Sequence, residues 1–250
     1  AVNAADQAQR DKTVNMIKFE YSSEENKVSV YNNGVGIPIQ KHDEHGIYVP
    51  EMIFAHLLTS SNFDDNEKKT TGGRNGYGAK LANIFSVKFE IEVGDPSSNQ
   101  KYVQICENNM TKINKPRITK YSKPDGYVKI TMYPDLEKFK ISELGDDFMK
   151  IIERRAYDIA ATSPKNVKTF VNGKQICVKN WQDYMALYLG PKSEKLRITD
   201  SPNDRWDVTV SMSTTGYQQV SFVNSIATSK GGAHVDSIVN QITKKIEDTM

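Results

Sequence analysis

Thr71-Gly72-Gly73-Arg74-Asn75-Gly76-Tyr77-Gly78-Ala79-Lys80 is the segment of this chain best suited to chemistry, a glycine-dense loop feeding a helix-forming stretch. Glycines let a backbone approach a phosphate closely. N–H groups at a helix start point at it, and Lys80 and Arg74 add positive charge. The loop is not a Walker A motif: Gly73 and Gly78 have the right separation, but Ala79 and Lys80 stand where Lys and Ser/Thr are required. Nor is it a Rossmann fingerprint, because Leu81 occupies the place of the third glycine and no strand leads straight into the loop. Taken alone, it reads either as an anion cradle or as a surface loop.

Two further segments bear on that choice. Asn32-Asn33-Gly34-Val35-Gly36-Ile37-Pro38 follows a strand-like run, so the Asn32 amide sits at a strand end where glycines leave room for a flat ligand and where it can read an adenine edge. The plain alternative is an Asn-Gly turn. Asn3-Ala4-Ala5-Asp6 offers a polar helix face suited to a hydrated cation beside a phosphate, since magnesium prefers oxygen ligands; the plain alternative is a solvated helix end. Gly231-Gly232, with His234 close by, reads either as another anion-friendly helix start or, the plainer alternative, as a connecting turn.

These residues need elements to hold them. Ala1 to Arg10 reads as the end of a helix, and Met16–Tyr21 with Lys27–Tyr31 as a hairpin. Glu51–Leu58 suits a short buried helix, Thr59–Gly78 a loop and Ala79–Phe85 a helix. Lys88–Val93, Lys101–Cys106 and Gly126–Tyr133 alternate apolar and polar residues as half-buried antiparallel strands of one sheet do. Ser142–Ala160 is an amphipathic helix to cover it. After Ser163-Pro164, a second unit is expected. It opens on a hairpin about Asn172-Gly173, continues through strands Trp206–Met212 and Tyr217–Val223, and ends on a helix carrying Val235, Ile238, Ile242 and Ile246.

Composition narrows the classes. The 250 residues are 38% hydrophobic and 26% charged, with no run apolar enough to span a bilayer. The 33 Lys and Arg against 31 Asp and Glu leave +2, too balanced for a chain whose main affinity comes from neutralising many phosphates of a nucleic acid. Cys106 and Cys177 form no close-spaced pair, and with 4 scattered histidines no structural zinc is expected. Trp181 and Trp206 lack the basic surroundings of a base-stacking platform.

In order and wording the segments resemble the ATPase region of the eukaryotic type II DNA topoisomerases. The resemblance rests on Asn3-Ala4-Ala5-Asp6, Asn32 through Pro38, Leu57-Leu58-Thr59-Ser60-Ser61-Asn62 and Gly72 through Lys80, and it continues through Arg154–Ile159 and Ser221–Thr228, nearly the whole chain. It implies the GHKL (Bergerat) fold, an α+β two-layer sandwich with a mixed, mainly antiparallel sheet. This would occupy residues 1–162, with the start of a transducer of left-handed βαβ type over 163–250. It implies ATP and Mg2+ as ligands, with Asn3 on the metal and Asn32 on adenine. Ile37, Ile53, Phe54 and Thr131 would line the base, and Ser60, Ser61 and Asn62 would approach the ribose and α-phosphate. Arg74, Asn75, Gly76, Tyr77, Gly78 and Lys80 would wrap the triphosphate.

For the parent protein the resemblance implies a nuclear homodimer that uses ATP to change DNA topology, meeting DNA mainly through other domains and no membrane. It places no catalytic residue in this chain. The general-base glutamate falls before Ala1 and the transducer lysine also lies outside, so the fragment is expected not to hydrolyse ATP by itself. The alternatives are a non-hydrolysing Mg·ATP-binding and dimerisation module, or another GHKL protein of the chaperone or mismatch-repair type.

Overall fold

A computed structural model of the chain describes residues 1–56, 71–73, 76–191 and 196–250. The chain opens on α1 (Val2–Arg10), then β1 (Met16–Ser22) and β2 (Lys27–Gly34) form the expected hairpin. Helices α2 (Val49–Ala55) and α3 (Gly78–Ile84) follow. Strands β3 (Ser86–Asp95), β4 (Gln100–Glu107), β5 (Lys112–Ile113), β6 (Arg117–Lys120) and β7 (Gly126–Pro134) come next. Then come α4 (Leu136–Phe139), α5 (Asp146–Thr162), β8 (Lys168–Val171), β9 (Lys174–Gln175), α6 (Trp181–Leu189), β10 (Arg197–Asn203), β11 (Trp206–Ser211), β12 (Phe222–Val223), β13 (Ile226–Ala227) and α7 (Ala233–Glu247).

Local chemistry sets several boundaries. Helix α2 begins at Val49, two residues ahead of the expected start, because Pro50 suits its first turn. Helix α5 begins only at Asp146: Gly145 precedes it, two aspartates occupy its first turn, and Leu144 is buried ahead of it with its N–H bonded to Asn26 Oδ1 at 2.8 Å. At the β8–β9 turn Asn172 and Gly173 both have positive φ, 44° and 78°, as the tight hairpin requires.

Among the described residues nine strands form one sheet, in the order β5-β4-β3-β7-β2-β1-β8-β9 with β6 also on β4. Its neighbours are antiparallel except β1 and β8, which run parallel. A parallel neighbour requires a crossover, and α5 lies within that connection. The sheet is one-sided. Ile17, Phe19, Val28, Val30, Phe89, Ile91, Val93 and Tyr102 alternate onto the face covered by helices. The opposite face carries Glu20, Ser29, Glu90, Glu92, Lys129 and Thr131 in a shallow polar groove, where Lys129 Nζ meets Glu20 Oε2 at 2.8 Å. This is the α+β mixed-sheet sandwich implied above.

Two features differ from the sequence reading. Strand β8 and hairpin partner β9 belong to the main sheet, although the second unit was expected from 163. One hydrophobic cluster also joins Ala4, Ile17, Phe19 and Ile159 to Ile176, Val178, Tyr184 and Met185, so the core runs on past Ser163-Pro164. The alternation at Tyr217–Val223 yields strand only at Phe222–Val223. Ahead of it, side chains take over from a backbone ladder: Gln219 Nε2 donates to the carbonyls of Thr228 and Ser229, and Ser221 Oγ to Gln219 Oε1. No helix among the described residues is long and apolar enough to cross a membrane.

Candidate functional site

The end of β2 separates two adjacent amides by the alternation of a strand. Asn33 is spent on structure: its Oδ1 accepts from the N–H groups of Asn15 at 3.1 Å and Met16 at 2.9 Å, and its Nδ2 donates to Asn15 Oδ1 at 2.9 Å. Asn32 turns to the helix-covered face, 8% exposed, with Nδ2 on the Asn33 carbonyl at 3.1 Å. Gly36 then lets the chain pass close to β3. It has φ +80°, and a Cβ there would stand 2.6 Å from the Gly94 carbonyl. Asp95 anchors the far side of this passage. It accepts from Ile39 N at 3.3 Å, Ser97 N at 2.9 Å, Ser97 Oγ at 2.6 Å and Ser98 Oγ at 2.8 Å. Burial by itself would raise its pKa, but these hydrogen bonds to the carboxylate prevail and hold it below the usual range.

Helices α2 and α3 supply walls on the same face. Phe54 is buried, and Ile37, Ile53, Ala79 and Ala82 pack with it against Ile91 and Val93. Asn83 Nδ2 donates to the Phe54 carbonyl at 3.1 Å, tying the two helices together. Glu51 fixes α2 to the sheet: its Oε2 accepts from Gln104 Nε2 at 2.6 Å, and Gln104 Oε1 accepts from Tyr102 at 2.6 Å. Thr131 does not join these walls, which corrects its expected place beside the base. It pairs with Ser29 and Glu90 in register and points into the polar groove on the other face. Val128 is the β7 residue opposite Asn32, and with Ile130 it packs on the walls. The cause is the period of two in a strand, which sends residues an odd number of positions apart to opposite faces.

The glycine loop is gripped from α1. Asp6 Oδ1 accepts from Gly72 N at 2.7 Å and Oδ2 from Gly73 N at 2.8 Å, while Arg10 Nη2 reaches Thr71 Oγ1 at 3.4 Å. Asn3, Asp6 and Arg10 lie on one helical stripe, so exposed Asn3 stands one turn from the residue that holds the loop. From the far end of the chain, Asn224 Nδ2 donates to the Thr71 carbonyl at 3.1 Å. A Cβ on Gly72 would come within 2.8 Å of the Asn224 carbonyl and of Ile226 Cδ1. Beyond the loop, Gly76 has φ +65°, Tyr77 is exposed ahead of α3, and Gly78 opens that helix.

Lys80, in the first turn of α3, is 2% exposed, and desolvation lowers its pKa. An anion beside a desolvated ammonium reverses that shift, so the residue is suited to a phosphate. Ser60, Ser61, Asn62, Arg74 and Asn75 lie outside the described residues.

The sequence places Asp6 with Asn3 on a polar helix face suited to a cation, whereas its carboxylate holds the glycine loop, and it gives no site role to Asn83 or Val128. Asp6 follows Asn3 at helical spacing, and Val128 shares the alternation of Ile130 and Met132, so both signals were present. Asn83 had none, because its partner is a backbone carbonyl of another helix. Exposed Asn3 one turn from the loop anchor Asp6, the buried Asn32 amide and the desolvated Lys80 are of the types that suit a magnesium-bound nucleoside triphosphate.

The family described as histidine kinase-, DNA gyrase B- and HSP90-like ATPase matches residues 1–138, and the DNA gyrase B family matches residues 163–250. The chain is 53% identical to DNA topoisomerase 2 of Arabidopsis thaliana over 98% of its own length, and spans 17% of that relative. The ATPase region of Saccharomyces cerevisiae topoisomerase II superposes with a TM-score of 0.94 at 47% identity, covering 99% of this chain and 65% of the other. The ATPase and transducer domains of DNA topoisomerase II from Balamuthia mandrillaris give 0.92 at 40% identity, covering 99% and 63%.

Proposed function

Since the chain belongs to the histidine kinase-, DNA gyrase B- and HSP90-like ATPase family, as the ATPase region of a eukaryotic type II DNA topoisomerase, we propose that it binds Mg·ATP between α1, the glycine loop, α3 and the end of β2. The observation that carries this is the division of labour at Asn32 and Asn33: one amide is consumed by the fold, and its neighbour is buried on the face that α2 and α3 cover.

Asn32 holds the adenine edge without burying a charge, and Ile37, Ile53, Phe54 and Val128 exclude water from the base. Ser60, Ser61 and Asn62 meet the ribose and α-phosphate, and Arg74, Asn75 and the backbone of Gly76, Tyr77 and Gly78 wrap the phosphates. Lys80 stabilises their charge, and Asn3 Oδ1 is the metal ligand of this chain. When bound, Mg2+ supplies charge neutralisation across the phosphate oxygens.

In the parent protein this region dimerises, ATP closes the dimer gate, and hydrolysis resets it during passage of one DNA duplex through another. DNA is met mainly by other domains, and the protein works in the nucleus. The division into an ATP-binding unit, 1–162, and the start of a transducer, 163–250, has the support of the two family matches, with the β8–β9 hairpin attached to the first unit's sheet. The bond from Asn224 to Thr71 gives that second unit a direct hold on the loop, and the bond from Arg155 Nη2 to the Ser225 carbonyl at 3.0 Å ties it to α5.

Calorimetric titration with a non-hydrolysable ATP analogue, with and without Mg2+, tests the proposal. Magnesium-dependent binding at one site is the expected result. Lys80→Ala weakens it by about 1.5–3 kcal/mol, the range for a hydrogen bond to a charged group. Asn32→Ala lowers preference for ATP over GTP more than it lowers triphosphate affinity. Unchanged affinity in a folded Lys80→Ala variant overturns the phosphate assignment.

A further inference from the structure

Among the described residues, one group of three metal-ligating side chains comes together, and the nucleotide site uses none of them. His42, Glu44 and His45 stand on the loop between Ile39 and α2, with one ring nitrogen of each histidine and one Glu44 carboxylate oxygen all within 4.8 Å of one another. The two imidazoles are nearly parallel, centroids 5.0 Å apart and planes at 24°. The loop that presents them is a closed hairpin. Lys41 pairs with Tyr48, His42 N donates to the Ile47 carbonyl at 2.8 Å, Gly46 N to the His42 carbonyl at 2.8 Å, and Val49 N to the Gln40 carbonyl at 2.9 Å. Gly46, at φ +65°, makes the reversal.

A second, independent observation concerns His42 itself. Its Nδ1 is buried and has no hydrogen-bond partner among the described residues. Buried polar atoms nearly always have one, and an exception marks a place where an ion or ordered water belongs. Glu44 and His45 are exposed, so an ion reaches the group from solvent and water completes its shell.

We propose that His42, Glu44 and His45 form a site for a transition-metal cation of the zinc, copper and nickel class. Two imidazoles and one carboxylate suit these ions, whereas Mg2+ prefers an all-oxygen shell. Zn–N bonds of about 2.0–2.1 Å place tetrahedral ligands roughly 3.4 Å apart, so rotation of the two exposed side chains closes the present spacing. Four histidines spread along the chain do not announce such a site, and only the hairpin brings His42 and His45 to one side. Its occupation clips the segment that joins Ile37 to α2, and the inference stands independently of how the nucleotide site is read.

The test is calorimetric titration of the full chain with Zn2+ in excess Mg2+, without chelating buffer. One equivalent is expected to bind. His45→Ala and Glu44→Gln each weaken it by at least about tenfold, the lower end of what even indirect metal-site mutations cost. His56→Ala, His234→Ala and Cys177→Ser leave it unchanged. Co2+ in place of Zn2+ gives visible absorption bands that His45→Ala abolishes. Circular dichroism verifies the fold of each variant, and both primary substitutions fall on exposed side chains. No binding by the folded chain overturns the proposal. So does binding that survives in the His42→Ala/His45→Ala double variant, or that disappears with His56, His234 or Cys177.

Discussion

Adjacent residues at the end of β2 have opposite fates because a strand turns successive side chains to opposite faces. Asn33 stitches β2 to the residues ahead of β1, and Asn32 is left to the candidate pocket. The same alternation distinguishes Val128 from Thr131. Val128→Phe, which adds bulk to the pocket wall opposite Asn32, is expected to weaken nucleotide-analogue binding by about 1–3 kcal/mol. Thr131→Val, on the far face, leaves it within about 0.5 kcal/mol. Equal effects in a titration of the two variants would show that the register does not govern the pocket. Asp95 supports a pH prediction. Its folded pKa lies below the unfolded value, so its contribution is present above about pH 4 and is lost as pH falls through the folded pKa. Urea midpoints measured from pH 5 down to pH 2 should therefore fall more steeply for the native chain than for Asp95→Asn.

At the scale of elements, α1 positions the loop as well as covering the core. Ala4, Ala5 and Ala8 face inward, where small side chains let the helix lie close to its neighbours, and Asp6 turns its carboxylate to the backbone of Gly72 and Gly73. Asp6→Ala leaves those two N–H groups without their acceptor, at a cost of about 1–3 kcal/mol, which a urea unfolding curve would register. It should also weaken nucleotide binding, because the cradle loses its anchor. A variant with native stability and affinity would deny Asp6 that role. Most elements were legible in sequence: the β1–β2 hairpin, the alternating strands β3, β4 and β7, and the apolar stripes of α5 and α7 each follow from local periodicity. Strand β12 came out shorter than its pattern because the side chains of Gln219 and Ser221 take up nearby carbonyls.

Across the whole molecule, the residues after Ser163 are fastened to those before it by a buried polar cluster. Asp158 Oδ2 accepts from Arg155 Nη1 at 3.0 Å and its Oδ1 from Tyr184 at 2.6 Å, and Arg155 continues to the Ser225 carbonyl. Burial, then the hydrogen bond to Asp158, pushes the Tyr184 pKa well up, so the phenol stays protonated and keeps donating. Asp158→Ala removes the carboxylate that Arg155 and Tyr184 share and leaves a partly buried guanidinium without its counter-charge, a loss of about 3–5 kcal/mol in unfolding free energy. A loss below about 1 kcal/mol would mean that the cluster does not couple the two halves. The exposed apolar residues Leu196, Ile198, Met212 and Tyr217 all lie beyond it, in the part with the least core of its own.

From sequence alone came the segments that carry chemistry, the strands and helices that bear them, and the resemblance in which Asn3, Asn32 and Lys80 acquire roles. These depend on residue type and on spacing within one element, where periods of two and of about 3.6 are written directly in the chain. Tertiary structure decided which β7 residue faces Asn32, that Asp6 holds the glycine loop, that β8 joins the sheet beside β1, and that His42 and His45 meet Glu44. Each of these depends on strand register, on a crossover or on a loop closure, and such contacts between distant residues leave no local period to read.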